Sequence, residues 1–224
     1  MNPRVMQFKR VIDVVIGTAA GLCALPLILV TALWIKLDSP GPVFYSQERV
    51  GLNRRRRHGA PPNGNERRKH DLGGEVFRIY KLRSMRRDAE KASGPAWAAR
   101  GDPRITRVGR FIRKTRLDEL PQLWNVMHGD MSLVGPRPER PCFHDDLDKN
   151  IPYYAERICD VKPGLTGLAQ VNLEYDDSME SVKNKLYYDH AYGAALTRFS
   201  SALRMDLLIL FRTIKVVLTG SGAH

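Results

Sequence analysis

Apolar residues fill positions 11–35 almost without interruption, and the one charge among them, Asp13, lies near the start. At about 1.5 Å per residue, a helix of that length reaches across a bilayer core. Pro26 falls near its middle, where it removes a backbone hydrogen bond and crowds the preceding turn. Both flanks are basic, with Arg4, Lys9 and Arg10 before the segment and Lys36, Arg49 and the arginines at 54–57 after it. Positive flanks stay on the cytoplasmic side, so a straight span would have to export one of them. A helix that enters, breaks at Pro26 and returns meets both conditions, and the pattern alone leaves re-entry and a simple span open. A cleaved signal peptide fits poorly, because the apolar run is long and no A-x-A site follows Trp34-Ile35-Lys36. A lipoprotein cysteine at Cys23 is disfavoured by the bulky Leu22 before it.

Beyond the turn cluster Asp38-Ser39-Pro40-Gly41-Pro42 the apolar periods shorten. Val43-Phe44-Tyr45 and Val76–Leu82 have the β-branched and aromatic content of strands and predict a short β-hairpin. Between them, 53–74 is polar, Arg-rich and broken by Gly, Pro and Asn, which predicts a mobile insertion. Residues 105–116 set Ile105, Val108 and Ile112 near one face with arginines around the rest, a pattern for an amphipathic helix on a membrane surface or a small core. A second helix is expected over 117–128, ended by Gly129. Further helices are expected over 147–158, 179–196 and 202–218. The last carries an apolar stripe of Leu203, Leu207, Leu210, Phe211 and Ile214, for which core packing is the default and membrane contact the second reading. The expected fold class is α+β, mainly helical. Residues 1–37 form a membrane segment and 38–224 a small cytosolic catalytic domain with amphipathic interfacial helices and the hairpin.

A chain of 224 residues is enough for one domain with a real core, or two small ones. Its net charge of +12 is unevenly placed. Residues 49–116 hold 21 basic and 6 acidic side chains, and 117–195 hold 7 basic and 14 acidic ones. The basic block suits an anionic partner: nucleic acid, phospholipid headgroups or a phosphorylated substrate. A nucleic-acid reader would interleave aromatics with its basic residues and carry a recognisable module, and 53–70 does neither, so no nucleic-acid partner is expected. Cys23, Cys142 and Cys159 are odd in number and widely spaced, against a disulfide framework or a structural zinc site. The six histidines lack ligand spacing, and the chain has no GxGxxG or GxxxxGK[ST] loop.

The run Leu117-Asp118-Glu119-Leu120-Pro121 places two acids just ahead of a proline that belongs in the first turn of a helix. Backbone N–H groups and the positive end of the helix dipole would then stabilise carboxylates there and could also hold a phosphate. By itself such a pair is more often a cap and a first-turn acid than a catalytic site. Its surroundings change the balance. Arg113 and Arg116 lie just upstream, and Arg137 downstream is fixed between Pro136 and Pro138 on a stiff backbone. Guanidinium groups bind phosphate oxygens in pairs. Acids beside such arginines suggest phosphoryl chemistry in which one carboxylate attacks phosphorus and the other holds a divalent cation, Mg²⁺ being the natural choice.

Several blocks then show a resemblance: Lys9-Arg10 with Asp13, Ser39-Pro40-Gly41-Pro42-Val43-Phe44, Tyr80-Lys81-Leu82-Arg83-Ser84-Met85, Asp102-Pro103-Arg104-Ile105-Thr106, DELPQLWNV, GDMSLVGPRP, Lys162-Pro163-Gly164-Leu165-Thr166-Gly167-Leu168-Ala169-Gln170-Val171, and the closing Tyr188-Asp189…Asp206 region. Together they resemble the monotopic phosphoglycosyl transferases, the bacterial sugar transferases that begin exopolysaccharide, O-antigen and glycoprotein glycans. The resemblance covers residues 9–218, and DELPQ followed by GDMSLVGPRP at this spacing is highly specific.

The resemblance implies a re-entrant N-terminal helix broken at Pro26 and a small domain resting on the cytoplasmic face of the inner membrane. It implies transfer of a sugar 1-phosphate from a UDP-sugar to polyprenyl (undecaprenyl) phosphate with release of UMP, by a ping-pong route through a covalent phosphosugar–aspartate. By position, Asp118 would be the nucleophile and Glu119 the Mg²⁺ partner. Arg113, Arg137 with Pro136, and Asn125 would form the substrate and phosphate site. Asp189 and Tyr192 match less distinctive positions and receive no role. Anionic lipid is an expected contact, and a homodimer is compatible with a membrane-surface enzyme. The rival reading, an inactive scaffold of the same fold, is opposed by the intact Asp118, Glu119, Arg113 and Arg137. The sugar and the glycan pathway are not encoded in any motif.

Overall fold

The computed structural model describes residues 2–53, 74–91, 94, 96, 101–173 and 179–219. The Arg-rich stretch expected as a mobile insertion falls at 54–73, outside these residues.

Helix α1 spans Pro3–Asp38. Asn2 caps it by accepting the Arg4 N–H at 3.0 Å, and Pro3 stands where a missing N–H costs nothing. The helix runs unbroken through Pro26, where a break was expected. Val5, Asp13, Gly17, Ala24, Thr31 and Ile35 form its buried stripe. The opposite face, with Val15, Leu22, Leu29, Val30 and Leu33, is apolar and exposed. An exposed apolar face of this length marks a surface that water does not cover. Among the described residues α1 is the one helix long and apolar enough to cross a membrane by length and composition.

Strands β1 (Phe44–Val50) and β2 (Val76–Leu82) form the expected antiparallel hairpin, with Phe44 opposite Leu82 and Val50 opposite Val76. Helix α2 covers Arg107–Lys114, shorter than the expected 105–116. Thr106 caps it through the Gly109 N–H, and Ile105 is drawn instead into a bridge with Met85. A 3₁₀ turn at Leu117–Glu119 precedes α3 (Gln122–His128), which ends on Gly129 at φ 104°. Strand β3 (Ser132–Val134) pairs in parallel with β4 (Gly164–Thr166), a contact absent from the sequence expectations. Between them lie α4 (Pro141–Asn150) and a 3₁₀ turn at Ala155–Ile158. The helix expected over 147–158 is therefore displaced toward the N-terminus. It starts on Pro141 and stops before Tyr153, whose φ of 63° no helix accommodates. Helices α5 (Leu168–Asn172), α6 (Met179–Ala195) and α7 (Phe199–Thr219) follow, the last two close to expectation.

The main core gathers Val5 and Ala24 of α1 with Leu123, Val126, Met131, Leu133, Tyr192, Leu196 and Ile209. A second cluster joins Ile35 to Leu82, Val108 and Ile112. Both ends of α1 thus pack on the same body. Near the N-terminal end, Lys9 Nζ donates to Asp206 Oδ2 at 2.6 Å and to Tyr192 OH at 2.8 Å. Asp13 Oδ1 accepts from Ser132 Oγ at 3.0 Å and from the Leu133 N–H at 2.8 Å. Arg10 donates to the Val126 and Met127 carbonyls at 2.6 Å each, satisfying the open C-terminal end of α3. At the far end the buried Arg83 guanidinium donates to the Ser39 and Pro40 carbonyls at 2.7 Å and to Ser39 Oγ at 3.0 Å.

Candidate active site

The acid pair sits in the 3₁₀ turn one step ahead of α3, not in the first turn of that helix. Arg116 causes the offset: its left-handed conformation (φ 59°) ends the run from α2 and restarts the chain at Leu117. Pro121 is the residue just before α3 rather than inside it. The helix-terminus argument for the two acids therefore weakens, and the nearby cations carry the electrostatics.

Asp118 and Glu119 are both buried, at 7% and 8% exposure, but they are treated differently. Glu119 Oε1 accepts from Lys81 Nζ and from Arg137 Nη2, each at 2.8 Å. Burial opposes its ionisation, yet Arg137, Lys81 and Arg116 outweigh burial and hold its carboxyl well below the ordinary glutamate range. Asp118 makes no side-chain hydrogen bond among the described residues. Burial pushes its carboxyl up to about 6, aided by the Glu119 charge and opposed by Lys81, Arg113 and Arg116. At pH 7 a group near 6 is still about nine-tenths ionised. The result is a carboxylate without a hydrogen-bond donor among the described residues, beside a Glu119 oxygen that takes two.

Asp118 opens onto a cavity of about 340 Å³ between the hairpin, the segment after β2, α2 and the start of α4. Arg49, Lys81, Arg83, Arg86, Arg87, Arg104, Arg113, Arg137 and Arg140 line it, against Asp118, Glu90 and Glu139. So cationic a wall suits a polyanion. Arg113 reaches this cavity without an ion-pair partner among the described residues. Arg137 is half-buried and reaches it from the Pro136-Arg137-Pro138 run, in which Pro136 O accepts the Gly164 N–H at 2.9 Å. Gly164 must be glycine there, because a Cβ would stand 2.1 Å from the Gly135 nitrogen.

Asn125 does something other than the expected substrate contact. It is fully buried, its Oδ1 accepts the Tyr80 N–H at 3.3 Å and its Nδ2 donates to Arg78 O at 2.7 Å. It clamps α3 to β2, and it is not among the cavity-lining residues. Lys81 is the site residue that sequence reasoning missed. Its motif was noted, but the 38-residue separation from Glu119 hid the contact.

No group of three His, Cys, Asp or Glu side chains among the described residues forms a closed metal cage. Two adjacent carboxylates beside a cationic wall fit Mg²⁺ all the same, since that ion takes one or two carboxylates and fills its remaining positions with phosphate oxygens and water.

A family model described as bacterial sugar transferase matches residues 4–220, and the chain belongs to that family. It is 43% identical over 223 residues to a protein of Aeromonas hydrophila named UDP-N-acetylgalactosamine-undecaprenyl-phosphate N-acetylgalactosaminephosphotransferase, covering 100% of this chain and 46% of that protein. It is 41% identical over 218 residues to the UDP-glucose:undecaprenyl-phosphate glucose-1-phosphate transferase of Caulobacter vibrioides, covering 96% of this chain and 72% of the relative. The exopolysaccharide production protein PSS of Rhizobium leguminosarum is 36% identical over 226 residues, 97% of this chain and 98% of that one. The chain thus spans less than half of the Aeromonas relative and nearly all of the Rhizobium one.

Proposed function

We propose that this bacterial sugar transferase moves a sugar 1-phosphate from a UDP-sugar to undecaprenyl phosphate through a covalent phosphosugar on Asp118, releasing UMP. The observation that carries the reading is the Asp118 carboxylate, buried, mostly ionised and unligated at an arginine-walled cavity, beside a Glu119 held by two cations. The relatives' names supply the donor and acceptor classes.

In the first half-reaction an Asp118 oxygen forms a bond to the sugar-bearing phosphorus of the donor. The bond from that phosphorus to the bridging oxygen breaks, and UMP leaves with the electron pair. In the second, an oxygen of the polyprenyl phosphate attacks the same phosphorus and the Asp118 carboxylate is regenerated. Arg113 and Arg137 neutralise phosphate oxygens, a contribution of several kcal/mol in comparable sites. Lys81 and Arg137 fix Glu119. Glu119, with Asp118 adjacent, would hold Mg²⁺, which supplies charge neutralisation at the phosphate oxygens when bound.

The acceptor's headgroup lies at the membrane interface, so the site must be held at that depth. Re-entry of α1 at Pro26 serves this, and the packing of both α1 ends on one body supports it, because a straight span would part them. Trp34 and Phe111 pair at 5.3 Å beside the exposed Arg107, Arg110 and Lys114, a combination suited to anionic headgroups on the cytoplasmic side.

The test is to incubate the protein with radiolabelled UDP-sugar without acceptor, digest it, and locate the label. Phosphosugar on the peptide bearing Asp118, with one equivalent of UMP released, is the expected result. Transfer at full rate by Asp118→Asn would overturn the assignment.

A further inference from the structure

We infer that Arg157 is a positioning residue: its guanidinium holds the Arg137 main chain so that the Arg137 side chain meets Glu119 and the donor phosphates. The inference rests on the phosphate-binding role proposed for Arg137.

Pro136 and Pro138 have no N–H, so the carbonyls of this run are its main handles. All three are taken. Pro136 O accepts the Gly164 N–H at 2.9 Å, Arg137 O accepts Arg157 Nη1 at 3.0 Å, and Pro138 O accepts Arg49 Nη1 at 3.0 Å. Gly164 acts through its backbone, and Arg49 itself lines the large cavity. Arg157 stands behind the run and does not line that cavity; among the described residues its hydrogen bond to a cavity residue is the one to Arg137, with the Glu139 carboxylate within electrostatic reach.

Arg157 is built to be immobile. It is 7% exposed and lies 4.6 Å from the Tyr154 ring centre. Its Nη1 also donates to Asp189 Oδ2 at 3.1 Å, and its Nη2 donates to Tyr154 OH at 3.1 Å. Asp189 comes from α6 and Tyr154 from the turn that carries Arg157 itself, so two distant parts of the chain, the Arg137 run and α6, converge on one guanidinium. A lysine ammonium could not serve these acceptors in the same fork. Buried ion pairs contribute little net stability compared with apolar packing, so stability alone does not account for this one. The arrangement also gives Asp189, a motif residue without a role so far, a specific function in orienting Arg157.

The test combines two measurements on the full chain in lipid nanodiscs. The first is a double-mutant cycle of Arg157→Lys with Arg137→Ala, reading kcat/KM for transfer. Arg157→Lys alone should lose about 10- to 100-fold, but no more than about twofold in the Arg137→Ala background. Equal losses in both backgrounds would overturn the inference. The second is phenylglyoxal labelling read by peptide mass spectrometry, which needs no catalysis. Arg137 should react slowly in the parent and several-fold faster in Arg157→Lys, with Arg113 unchanged. An unchanged Arg137 rate overturns the positioning role, whereas a parent protein that transfers nothing overturns only the proposed reaction. If Arg157→Lys does not fold, the isosteric Asp189→Asn goes through both measurements with the same expected outcomes.

Discussion

Glu119 receives the Lys81 ammonium and the Arg137 guanidinium on a single oxygen, and Asp118, its neighbour in the chain, receives neither. Two buried acids one residue apart are thereby driven in opposite directions, one kept as an anion and the other made costly to ionise. Sites that perform acid–base or nucleophilic work separate their carboxylates in this way.

Substitutions at the two positions should therefore have opposite effects on stability. Asp118→Asn removes a buried, unligated charge and should raise the melting temperature by a few degrees, on the order of 1–3 kcal/mol, while abolishing transfer. Glu119→Gln leaves two half-buried cations facing a neutral amide and should lower stability by about 3 kcal/mol. Thermal unfolding of the two variants checks the signs. A destabilised Asp118→Asn would count against a raised Asp118 pKa.

The same shift sets the pH response. Asp118 must be ionised to attack, so transfer should fall as pH drops through about 6, roughly tenfold per unit below it. Stability runs the other way. The folded state holds this proton more tightly than the unfolded state, so between about pH 4 and 6 Asp118 contributes less stability as pH rises. Glu119 contributes stability that is present above its unfolded value and lost only in strong acid. Urea unfolding from pH 4 to 7 should show a downward slope from Asp118 that Asp118→Asn removes.

Lys9 joins α1 to α7 through Asp206, with both side chains 13% exposed. Lys9→Met should cost about 3–5 kcal/mol, because Asp206 remains buried without its cation. The paired change Lys9→Met with Asp206→Leu should recover much of that loss, which a denaturant series on the three variants would measure.

Re-entry predicts that both ends of α1 face the cytoplasm. Cysteines introduced as Gln7→Cys and Leu37→Cys, in a chain with Cys23, Cys142 and Cys159 replaced, should both resist an impermeant maleimide in intact spheroplasts. Both should react once the membrane is opened. Labelling of Gln7→Cys before opening would establish a span.

What the sequence made legible was local. The apolar run, the hairpin strands, α6 and α7 could be read from periodicity, Asp118, Glu119 and Arg137 stood out as charged residues beside prolines, and Arg113 as a cation just upstream of the acids. What escaped were contacts set by the tertiary fold. Strands β3 and β4 have three residues each, too few to show alternation. Asn125, placed in the site by the resemblance, has its side chain turned by α3 toward the β2 backbone, a contact that no local pattern reports. Lys81, Arg157 and Asp189 act across separations of 38, 20 and 32 residues, which no local pattern reports. The start of α4 is different: Pro141 at its first position was a visible cue that the apolar pattern overrode.

Asp13 accepts hydrogen bonds from Ser132 and Leu133, the first residues of the strand that leads into the Arg137 run. A side chain from the apolar helix α1 is thus a component of the body that carries the candidate active site. Docking of α1 therefore supplies the acceptor for a side-chain and a backbone donor at the start of β3, the strand from which the chain runs on to Arg137.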